Sequence, residues 1–454
     1  MAYQTINPAT GERLADYPSW TAGQLDAALN HASEAAPAWA ATPLAERCEL
    51  LRRLATLLRD QQESLARLIT LEMGKLIGES RAEVEKCALG CEYYAEQAPA
   101  FLADELIETD AGKSLVAYQP LGTVLAVMPW NFPLWQVFRF IAPTLAAGNT
   151  GLLKHASNVP QCALAIERLV REAGAPEGVF STLMIDARDV AGVIADPRVH
   201  AVTLTGSEPA GRSVAAAAGQ HLKKSVLELG GSDAFVVLED ADLDIAVAQA
   251  VTSRFLNCGQ SCIAAKRFIV VEAIADDFVA RFADAVGDLR AGDPADGDTT
   301  LAPMARADLR DELHRQVEAS VQAGARVVTG GAPVVGPGAF YPATILDQVT
   351  RDMAAYEQEL FGPVAAVIRV TDEAEALAVA NGSRFGLGGS VWTRDSARGE
   401  RFARQMQCGS AFVNGMVKSD PRLPFGGIKA SGYGRELSHH GLREFVNAKT
   451  LWVR

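Results

Sequence analysis

Long hydrophobic runs are missing from this sequence, and so is an obvious leader segment. No stretch approaches the roughly 18 consecutive apolar residues that a membrane helix needs. The opening residues, MAYQTINPATGERLADYPSW, contain neither a basic start nor an apolar centre. We therefore expect no membrane partner and no secretory signal.

Cysteine is scarce, and basic residues are in the minority. Seven cysteines in 454 residues predict no disulfide framework, which is typical of proteins in the reducing cytoplasm. The net charge of -13 argues against nucleic-acid binding, because that function requires a basic surface. We expect an acidic, globular, cytoplasmic protein.

The length of the chain predicts more than one domain, since one ordinary core does not extend over 454 residues. In the first hundred residues, Leu and Ala recur at intervals of three and four, which predicts helices at 23–37, 44–70 and 78–98. Two short β-prone runs then surround a turn-like Asp-Ala-Gly sequence, which indicates a hairpin over 99–121. The tail from residue 442 is again typical of a strand.

Beyond the hairpin, strands and helices alternate. Apolar runs predict strands at 124–130, 150–155, 179–185, 200–206 and 224–231, and helical spacing predicts helices at 133–148, 159–174, 187–195 and 209–222. A second series of the same kind runs from 233 to roughly 415. This alternation is typical of right-handed βαβ units, so the sequence predicts an α/β fold with parallel sheets.

One connection between a strand and a helix has the features of a phosphate site. In TLTGSEPAGRSVAAAAG (203–219) a strand ends at Gly206, Ser207 is suited to cap the next helix, and Gly211 permits close approach of the backbone. Helix N-termini at the carboxyl ends of parallel strands offer free N–H groups to phosphate. The same residues also suit an ordinary tight connection, so this stretch leaves both interpretations open.

The end of the strand at 150–155 bears on the choice of nucleotide. Enzymes selective for NAD commonly place a carboxylate at this position to bind the ribose hydroxyls. The stretch LLKHASN has Lys154, His155 and Ser157 and no acid. A cation and a small hydroxyl would tolerate the 2′-phosphate of NADP. The alternative is that Lys154 and His155 are solvated residues at a strand end.

Two cysteines, Cys258 and Cys262, lie in the turn-like stretch NCGQSC, between a helical segment and a strand at 266–271. They have no second cysteine pair or histidine motif with them, so the sequence predicts no metal site. A thiolate on such a connection could attack a carbonyl carbon. The other interpretations are a small buried hydrophobe, which is usual for one cysteine, and a disulfide between the two, which requires α-carbons within about 7 Å.

Six short motifs are spread along the chain: PWNFP (129–133), LTGS (204–207), LELGG (227–231), GQSC (259–262), ELFGP (359–363) and PFGGIKASGYGRE (424–436). In this order they resemble the aldehyde dehydrogenase superfamily, and the resemblance extends over essentially the whole chain. It places Cys262, and not Cys258, at the position of the family's nucleophile.

The resemblance implies a mechanism and a cofactor. Cys262 would attack the aldehyde to give a thiohemiacetal, and Asn131 would stabilise the oxyanion with the backbone N–H of Cys262. Glu228 would activate the water that hydrolyses the resulting thioester. NAD or NADP would accept the hydride. The implied cofactor-binding residues are Trp130, Lys154, Ser157, Gly206, Ser207, Gly211, Leu229, Glu359 and Phe361.

Two positions depart from the pattern of the superfamily. The family's common Lys-Pro-Ala-Glu is Lys154-His155-Ala156-Ser157 here, so the acid that selects NAD is absent and use of NADP is favoured. Cys258 stands where the family usually has a small or amide residue, and its role is open.

Two further residues match those of the succinate-semialdehyde dehydrogenases within the superfamily. Arg139 lies on the helix after Asn131 and would pair with a distal carboxylate, for which a planar guanidinium is suited. Ser419 would bind the same group. Without the resemblance, Arg139 would be a helix-surface residue and Ser419 a loop hydroxyl. The match is incomplete at two places: Ile263-Ala264 follows the nucleophile where redox-switched members have a cysteine, and Phe255 and Leu256 stand where some members carry another arginine. Glutarate semialdehyde and uncharged aldehydes are therefore also candidate substrates.

The resemblance also assigns domains and a reaction. Residues 1–98 and 122–228 would form a Rossmann-like NAD(P)-binding domain, 229–435 a catalytic domain, and 99–121 with 436–454 a small β element that joins subunits into a homodimer or homotetramer. The expected reaction is NAD(P)-dependent oxidation of succinate semialdehyde to succinate. Alternatives are a broad-specificity aldehyde dehydrogenase, a CoA-acylating enzyme, which the presence of a base disfavours, and a non-catalytic protein on the same scaffold.

Overall fold

A computed structural model describes residues 3–454. The first hundred residues form a short ribbon and four helices: β1 (Tyr3–Ile6), β2 (Arg13–Tyr17), α1 (Ala22–Ala41), α2 (Leu44–Asp60), α3 (Gln62–Met73) and α4 (Ile77–Phe101). The helices expected from the Leu and Ala spacing are confirmed, except that the second divides into α2 and α3. The ribbon was not predicted, because its buried positions Tyr3 and Thr5 do not form an apolar run.

The next part of the chain contains the predicted hairpin and the first α/β series. Its elements are β3 (Glu105–Leu106), β4 (Lys113–Pro120), β5 (Thr123–Met128), α5 (Trp135–Ala146), β6 (Thr150–His155), α6 (Pro160–Glu172), β7 (Phe180–Thr182), α7 (Val190–Ala195), β8 (Ala201–Thr205), α8 (Glu208–Gln220) and β9 (Lys224–Glu228). The alternation of strands and helices is confirmed, with ends that differ by a few residues. The hairpin begins later than expected because α4 continues to Phe101.

The second series occupies the remaining residues. Its elements are β10 (Asp233–Val237), α9 (Leu243–Phe255), β11 (Ala265–Val271), α10 (Glu272–Gly287), α11 (Ala307–Gln322), β12 (Arg326–Thr329), β13 (Thr344–Asp347), α12 (Ala354–Glu357), β14 (Val364–Val370), α13 (Glu373–Asn381), β15 (Phe385–Gly386), β16 (Gly388–Trp392), α14 (Ser396–Gln405), β17 (Ser410–Val413), β18 (Ile428–Lys429), β19 (Gly432–Tyr433), α15 (Ser438–Arg443) and β20 (Val446–Val453). The second series and the terminal strand therefore agree with the sequence analysis.

A six-stranded sheet has the order β19-β9-β8-β5-β6-β7. Its strands are parallel apart from β19, which pairs antiparallel with β9. The chain order reverses beside β5, which has β6 on one side and β8 on the other. Ligands of open α/β sheets bind at such a switch point, at the carboxyl ends of the strands. The ends of β5 and β8 therefore mark where a nucleotide would bind.

A seven-stranded sheet has the order β12-β13-β14-β11-β10-β16-β17, and only β12 is antiparallel to its neighbour. Aromatic rings fill its core, where Phe235 lies 4.9 Å from Trp392 and 5.2 Å from Phe268 between ring centroids. The two parallel sheets with helices on their faces confirm the α/β class.

The hairpin and the tail form a third, small sheet of order β20-β4-β3, which is antiparallel throughout. Most of β20 is exposed, including the apolar side chains of Leu451, Trp452 and Val453. Among residues 3–454, no helix combines the length and apolar character needed to cross a membrane.

Candidate active site

The loop that carries Cys262 follows α9 and begins with a 3₁₀ turn at Leu256–Gly259. Asn257, Cys258 and Gly259 have positive φ angles of 56°, 54° and 69°. Residues other than glycine rarely adopt this conformation, and consecutive ones are kept only when surrounding contacts fix them. The loop therefore depends on its neighbours for its shape.

Two buried cations supply those contacts. The Arg254 guanidinium donates hydrogen bonds to the carbonyls of Gly259 at 2.5 Å and Ala265 at 2.9 Å. The Lys266 ammonium donates to the carbonyls of Ser261 and Cys262, both at 2.8 Å. Neither residue was singled out from the sequence, although both flank the GQSC motif. They hold the loop that carries Cys262 from its two ends.

The two cysteines of the loop have different surroundings, and both thiols are free. Cys258 is packed in the hydrophobic core of the seven-stranded sheet, whereas Cys262 packs beside the core of the other sheet. Burial raises the pKa of both, that of Cys262 to about 12, and for Cys262 the charges of Arg139 and Lys266 oppose the rise. Cys258 thus fits the description of a small buried hydrophobe.

Cys262 forms part of the walls of two cavities, each of about 270 Å³. One, the sheet-edge cleft, is lined by Trp130, Asn131, Thr205, Gly206, Ser207, Glu228, Leu229, Glu359 and Phe361. The other, the apolar pocket, is lined by Glu79, Glu83, Lys86, Phe132, Trp135, Arg139, Leu256, Ile263, Lys418, Ser419 and Phe425. The thiol is therefore accessible to one molecule in the cleft and to another in the pocket.

Asn131 lies in the turn after β5 and is hydrogen-bonded to the loop that carries Cys262. Its side-chain amide donates to the backbone carbonyl of Gln260 at 3.0 Å. The backbone carbonyl of Asn131 accepts a hydrogen bond from the Asn257 side chain at 2.8 Å. Within residues 3–454, no backbone carbonyl accepts the N–H of Cys262. The second amide proton of Asn131 and the N–H of Cys262 can thus act as a pair of donors toward an oxygen bound in front of the thiol.

Glu228 ends β9, and its side chain is buried beside the cleft. Neither of its carboxylate oxygens has a hydrogen-bond partner in the described part of the chain. Burial raises the pKa of Glu228 well above its usual range, and the neighbouring charge of Glu436 adds to this rise, while Arg139 and Arg435 oppose it. A buried carboxyl group without partners is destabilising, and such groups cluster at functional sites.

Gly230 and Gly231, which follow Leu229, have close contacts that leave no room for a side chain. A β-carbon at position 230 would lie 2.2 Å from Oε2 of Glu359, and one at position 231 would lie 2.7 Å from the carbonyl oxygen of Cys262. The N–H of Gly231 also donates to Oε1 of Glu359 at 3.0 Å. Glu359 and the loop that carries Cys262 can approach the end of β9 this closely only because both positions lack side chains.

Trp130 and Phe361 face each other in the cleft. Their rings meet edge to face with centroids 5.8 Å apart. Ser207, which also lines the cleft, immediately precedes α8, whose first N–H groups have no partners within the helix. Gly211 has a packing role, since a β-carbon there would lie 2.6 Å from the Leu229 side chain. The cleft thus offers both a helix N-terminus and two aromatic rings.

The strand end at Lys154 and His155 is buried, so the interpretation of these residues as solvated is wrong. His155 accepts from the N–H of Ala156 at 2.9 Å, and its other ring nitrogen lies 2.8 Å from the Pro133 carbonyl. Burial lowers its pKa to about 4, so the ring is neutral. The contact with the Pro133 carbonyl ties His155 to the PWNFP turn. The Lys154 ammonium donates to the carbonyl of His155 at 2.9 Å. Ser157 is exposed in the turn that follows the strand.

A model of the Aldehyde dehydrogenase family matches residues 1–451. The chain belongs to the aldehyde dehydrogenase family. It is 51% identical, over all of both chains, to a probable succinate-semialdehyde dehydrogenase [NADP(+)] of Synechocystis sp., and also 51% identical over all of both chains to succinate-semialdehyde dehydrogenase [NADP(+)] 1 of Mycobacterium tuberculosis. Its structure matches that of a succinic semialdehyde dehydrogenase from Streptococcus pyogenes in complex with NADP+, with a TM-score of 0.98, 42% identity and coverage of all of both chains.

In this aldehyde dehydrogenase, both residues expected to bind a carboxylate line the apolar pocket. The interpretation of Arg139 as a helix-surface residue is wrong, whereas Ser419 does lie in a loop. Arg139, however, is buried in an ion pair with Glu436 and donates to the Thr205 hydroxyl at 3.3 Å. Ser419 accepts hydrogen bonds from Lys86 at 2.7 Å and from the Trp135 indole at 3.2 Å. Sequence reasoning missed Lys86, because nothing in the motif pattern marks this residue of α4.

Proposed function

We propose that this protein oxidises succinate semialdehyde to succinate with NADP. The observation that carries the proposal is the position of Cys262 between the sheet-edge cleft and an apolar pocket that contains cations. The relatives at 51% identity that are named for this reaction and for NADP(+) support the same substrate and cofactor.

The cleft has the features that a dinucleotide requires. It opens at the switch point of the six-stranded sheet, with the N-terminus of α8 for a pyrophosphate and Glu359 for a ribose. Trp130 and Phe361 would flank the nicotinamide ring. Lys154 and the exposed hydroxyl of Ser157 leave room for a 2′-phosphate because no acid stands there. Bound NADP would supply the acceptor for the hydride that leaves the substrate carbon.

The first step is attack of the Cys262 sulfur on the aldehyde carbon. The thiol is protonated at neutral pH because its pKa is about 12, so the proton must leave as the carbon–sulfur bond forms. Arg139 and Lys266 favour the thiolate by their charge. The carbonyl oxygen gains the negative charge and is stabilised by Asn131 and by the N–H of Cys262. The product is the alkoxide form of a thiohemiacetal on Cys262, and the thiol proton has passed to solvent water.

The second step is hydrolysis of the thioester that remains on Cys262 after loss of the hydride. Glu228, in its ionised form, takes a proton from water, and the water oxygen bonds to the acyl carbon. The carbon–sulfur bond then breaks and the thiol recovers a proton. The raised pKa of Glu228 makes its carboxylate a stronger base than an exposed glutamate.

Steady-state assays with NADP test the proposal. We expect kcat/KM for succinate semialdehyde to exceed that for butanal by about 100-fold, because a charge-assisted hydrogen bond from the pocket to the distal carboxylate is worth about 2–3 kcal/mol. Butanal has the same chain length and lacks the carboxylate. Equal kcat/KM values for the two aldehydes would contradict the proposed substrate.

The Ser157→Glu variant tests the choice of cofactor. We expect kcat/KM for NADP to fall by at least about tenfold and that for NAD to rise, because the new carboxylate repels a 2′-phosphate and accepts hydrogen bonds from ribose hydroxyls. The neutral Ser157→Gln variant is the matched control, since it adds a similar bulk without the charge. If kcat/KM for NADP falls to the same extent in both variants, charge at this position does not select the cofactor.

We also propose that residues 1–98 and 122–228 bind the cofactor, that 229–435 carry the nucleophile, and that the small sheet from 99–121 and 436–454 joins subunits. The exposed apolar side chains of β20 support the last assignment, since an open strand edge with apolar residues is a liability in a monomer. Light scattering that found a monomer would contradict it.

A further inference from the structure

The two donors that face the aldehyde oxygen come from different parts of the chain. Asn131 lies in the turn after β5 of the six-stranded sheet, whereas Cys262 lies in the connection from α9 to β11 of the seven-stranded sheet. Such donors are effective only when they are already held at hydrogen-bond distance from the oxygen as its charge develops. The contacts between the two segments therefore decide how well the pair of donors works.

Asn257 makes the contact that joins these segments. Its side-chain NH₂ group donates to the backbone carbonyl of Asn131 at 2.8 Å and to that of Gln260 at 3.1 Å. The Asn131 side chain donates to the same Gln260 carbonyl at 3.0 Å. Because a carbonyl only accepts hydrogen bonds, the Asn131 amide cannot turn its oxygen toward this position. The Gln260 carbonyl thus orients the Asn131 amide, and Asn257 holds that carbonyl beside the Asn131 backbone.

Helix α4 in turn fixes Asn257. The N–H of Asn257 lies 3.1 Å from each carboxyl oxygen of Glu79. One turn further along α4, Glu83 accepts from two N–H groups at the start of α5, at 2.8 and 3.0 Å, just after the turn that contains Asn131. Residues four apart lie on one face of a helix. Helix α4 therefore supports both segments from the same side.

The surroundings of Asn257 are costly for a residue that serves packing alone. It is buried, its φ angle is 56°, and among residues 3–454 its side-chain oxygen has no hydrogen-bond partner. Both a buried polar atom without a partner and a positive φ angle lower stability, although asparagine tolerates the latter better than most residues. The two hydrogen bonds from its NH₂ group offset these costs, and both end on the segments that carry the donors.

We propose that Asn257 is a positioning residue that orients the Asn131 amide toward the oxygen of the bound aldehyde. The inference rests on the proposed function, because it assumes that Asn131 stabilises the oxyanion formed when Cys262 attacks. In the described part of the chain, Asn257 lines neither the sheet-edge cleft nor the apolar pocket. Its effect on the reaction is therefore exerted through Asn131.

A double-mutant cycle of Asn257→Gly and Asn131→Ala tests this role. Glycine adopts the same positive φ angle and removes only the side chain. The rate of NADPH formation is measured in a single turnover, with enzyme in excess over succinate semialdehyde. We expect a fall of about 100-fold in Asn131→Ala, the usual effect of losing an oxyanion donor, and of about tenfold in Asn257→Gly. The double variant should match Asn131→Ala within about threefold, since Asn257 then has no amide to orient.

The outcomes separate this inference from the proposed function. A fall of about 1,000-fold in the double variant, the product of two independent losses, would overturn the role of Asn257 and leave the mechanism intact. A wild-type rate in Asn257→Gly would do the same. If Asn131→Ala keeps the wild-type rate, the proposed oxyanion donor is wrong, and the inference fails with it. Any aldehyde that the enzyme oxidises serves in this cycle, so a different substrate preference would not affect it.

Cys258→Gly is the matched control. It removes the side chain of the next residue, which has a φ angle of 54° in the same turn and packs in the core of the seven-stranded sheet. We expect its single-turnover rate to stay within about threefold of the wild type.

Alkylation of Cys262 by iodoacetamide is a second readout. The thiol sulfur displaces iodide from a saturated carbon, so no oxyanion forms at the reacting atom. We expect Asn257→Gly to be alkylated at the wild-type rate, as measured by mass spectrometry of the Cys262 peptide. A fall in alkylation as large as the fall in NADPH formation would show that the thiol itself is displaced, and it would overturn the proposal.

Two variants of Glu79 test the same role with Asn257 in place. Glu79→Gln keeps an oxygen that can accept the Asn257 N–H, whereas Glu79→Leu does not. We expect the single-turnover rate to stay near the wild-type value in Glu79→Gln and to fall by about fivefold in Glu79→Leu, with no further fall when Asn131→Ala is already present. Equal rates in the two Glu79 variants would contradict the proposal. Thermal unfolding of each variant shows whether it is folded.

Discussion

Replacement of Cys262 by alanine is expected to lower kcat for aldehyde-dependent NADPH formation by about 10⁴-fold or more. The thiol is the atom that must bond to the aldehyde carbon, and the cleft and the pocket meet at its side chain. Removal of one partly buried sulfur should change the free energy of unfolding by no more than about 1 kcal/mol. The loss is measured in steady-state assays at saturating aldehyde, with thermal unfolding to verify the fold.

Cys258→Ala is the matched control for this experiment. It removes a thiol four positions away, in the same strained turn, whose side chain packs in the core of the seven-stranded sheet. We expect it to lose about 1 kcal/mol of stability and to keep kcat within about threefold of the wild type. Full activity in Cys262→Ala, or loss of activity in Cys258→Ala without unfolding, would contradict the assignment of the nucleophile.

The Glu228→Gln variant is expected to complete one turnover and then stall. Formation of the thiohemiacetal and loss of the hydride do not require Glu228 as the base for water, so each active site should release one NADPH. Hydrolysis of the thioester should then be slower by about 10² to 10⁴-fold, the usual contribution of a general base. Stopped-flow absorbance should therefore show a burst of NADPH with an amplitude equal to the concentration of active sites. A proportional loss of burst and steady-state rate would instead place Glu228 in the first step.

The pH dependence of the wild type follows from the same residue. Burial and Glu436 raise the pKa of Glu228 well above its ordinary value of 4.5. The carboxylate is the active form, so hydrolysis should be lost as the pH falls through this raised pKa. In the pH profile of kcat, the fall on the acid side should thus lie well above pH 4.5. The slow hydrolysis by Glu228→Gln should not show this fall, because the amide does not titrate.

The parts of the fold that local patterns control were predictable. The spacing of Leu and Ala marks the helices of the first hundred residues, and apolar runs between helices mark β5 to β9. The ribbon of β1 and β2 was not predictable, because its strands are polar and have no such spacing or apolar run. The pairing of Gly432–Tyr433 with β9 is also a long-range contact that no local signal records.

The residues of the candidate site also include some that the sequence marks and some that only the tertiary structure brings together. Short motifs mark Cys262, Glu228 and Asn131, because each of these groups needs a particular backbone around it. Lys86 has no motif, since a lysine on an amphipathic helix is ordinary until tertiary packing places α4 against the pocket. The pairing of Arg139 with Glu436 joins two distant segments and could not be deduced from either.

The most direct test of the proposed mechanism is mass spectrometry of Glu228→Gln after mixing with NADP and succinate semialdehyde. The proposed mechanism predicts one succinyl group per chain, attached to Cys262, which is lost on treatment with hydroxylamine as expected for a thioester. An acyl group on another residue, or none on Cys262 in a variant that has produced its burst of NADPH, would contradict it.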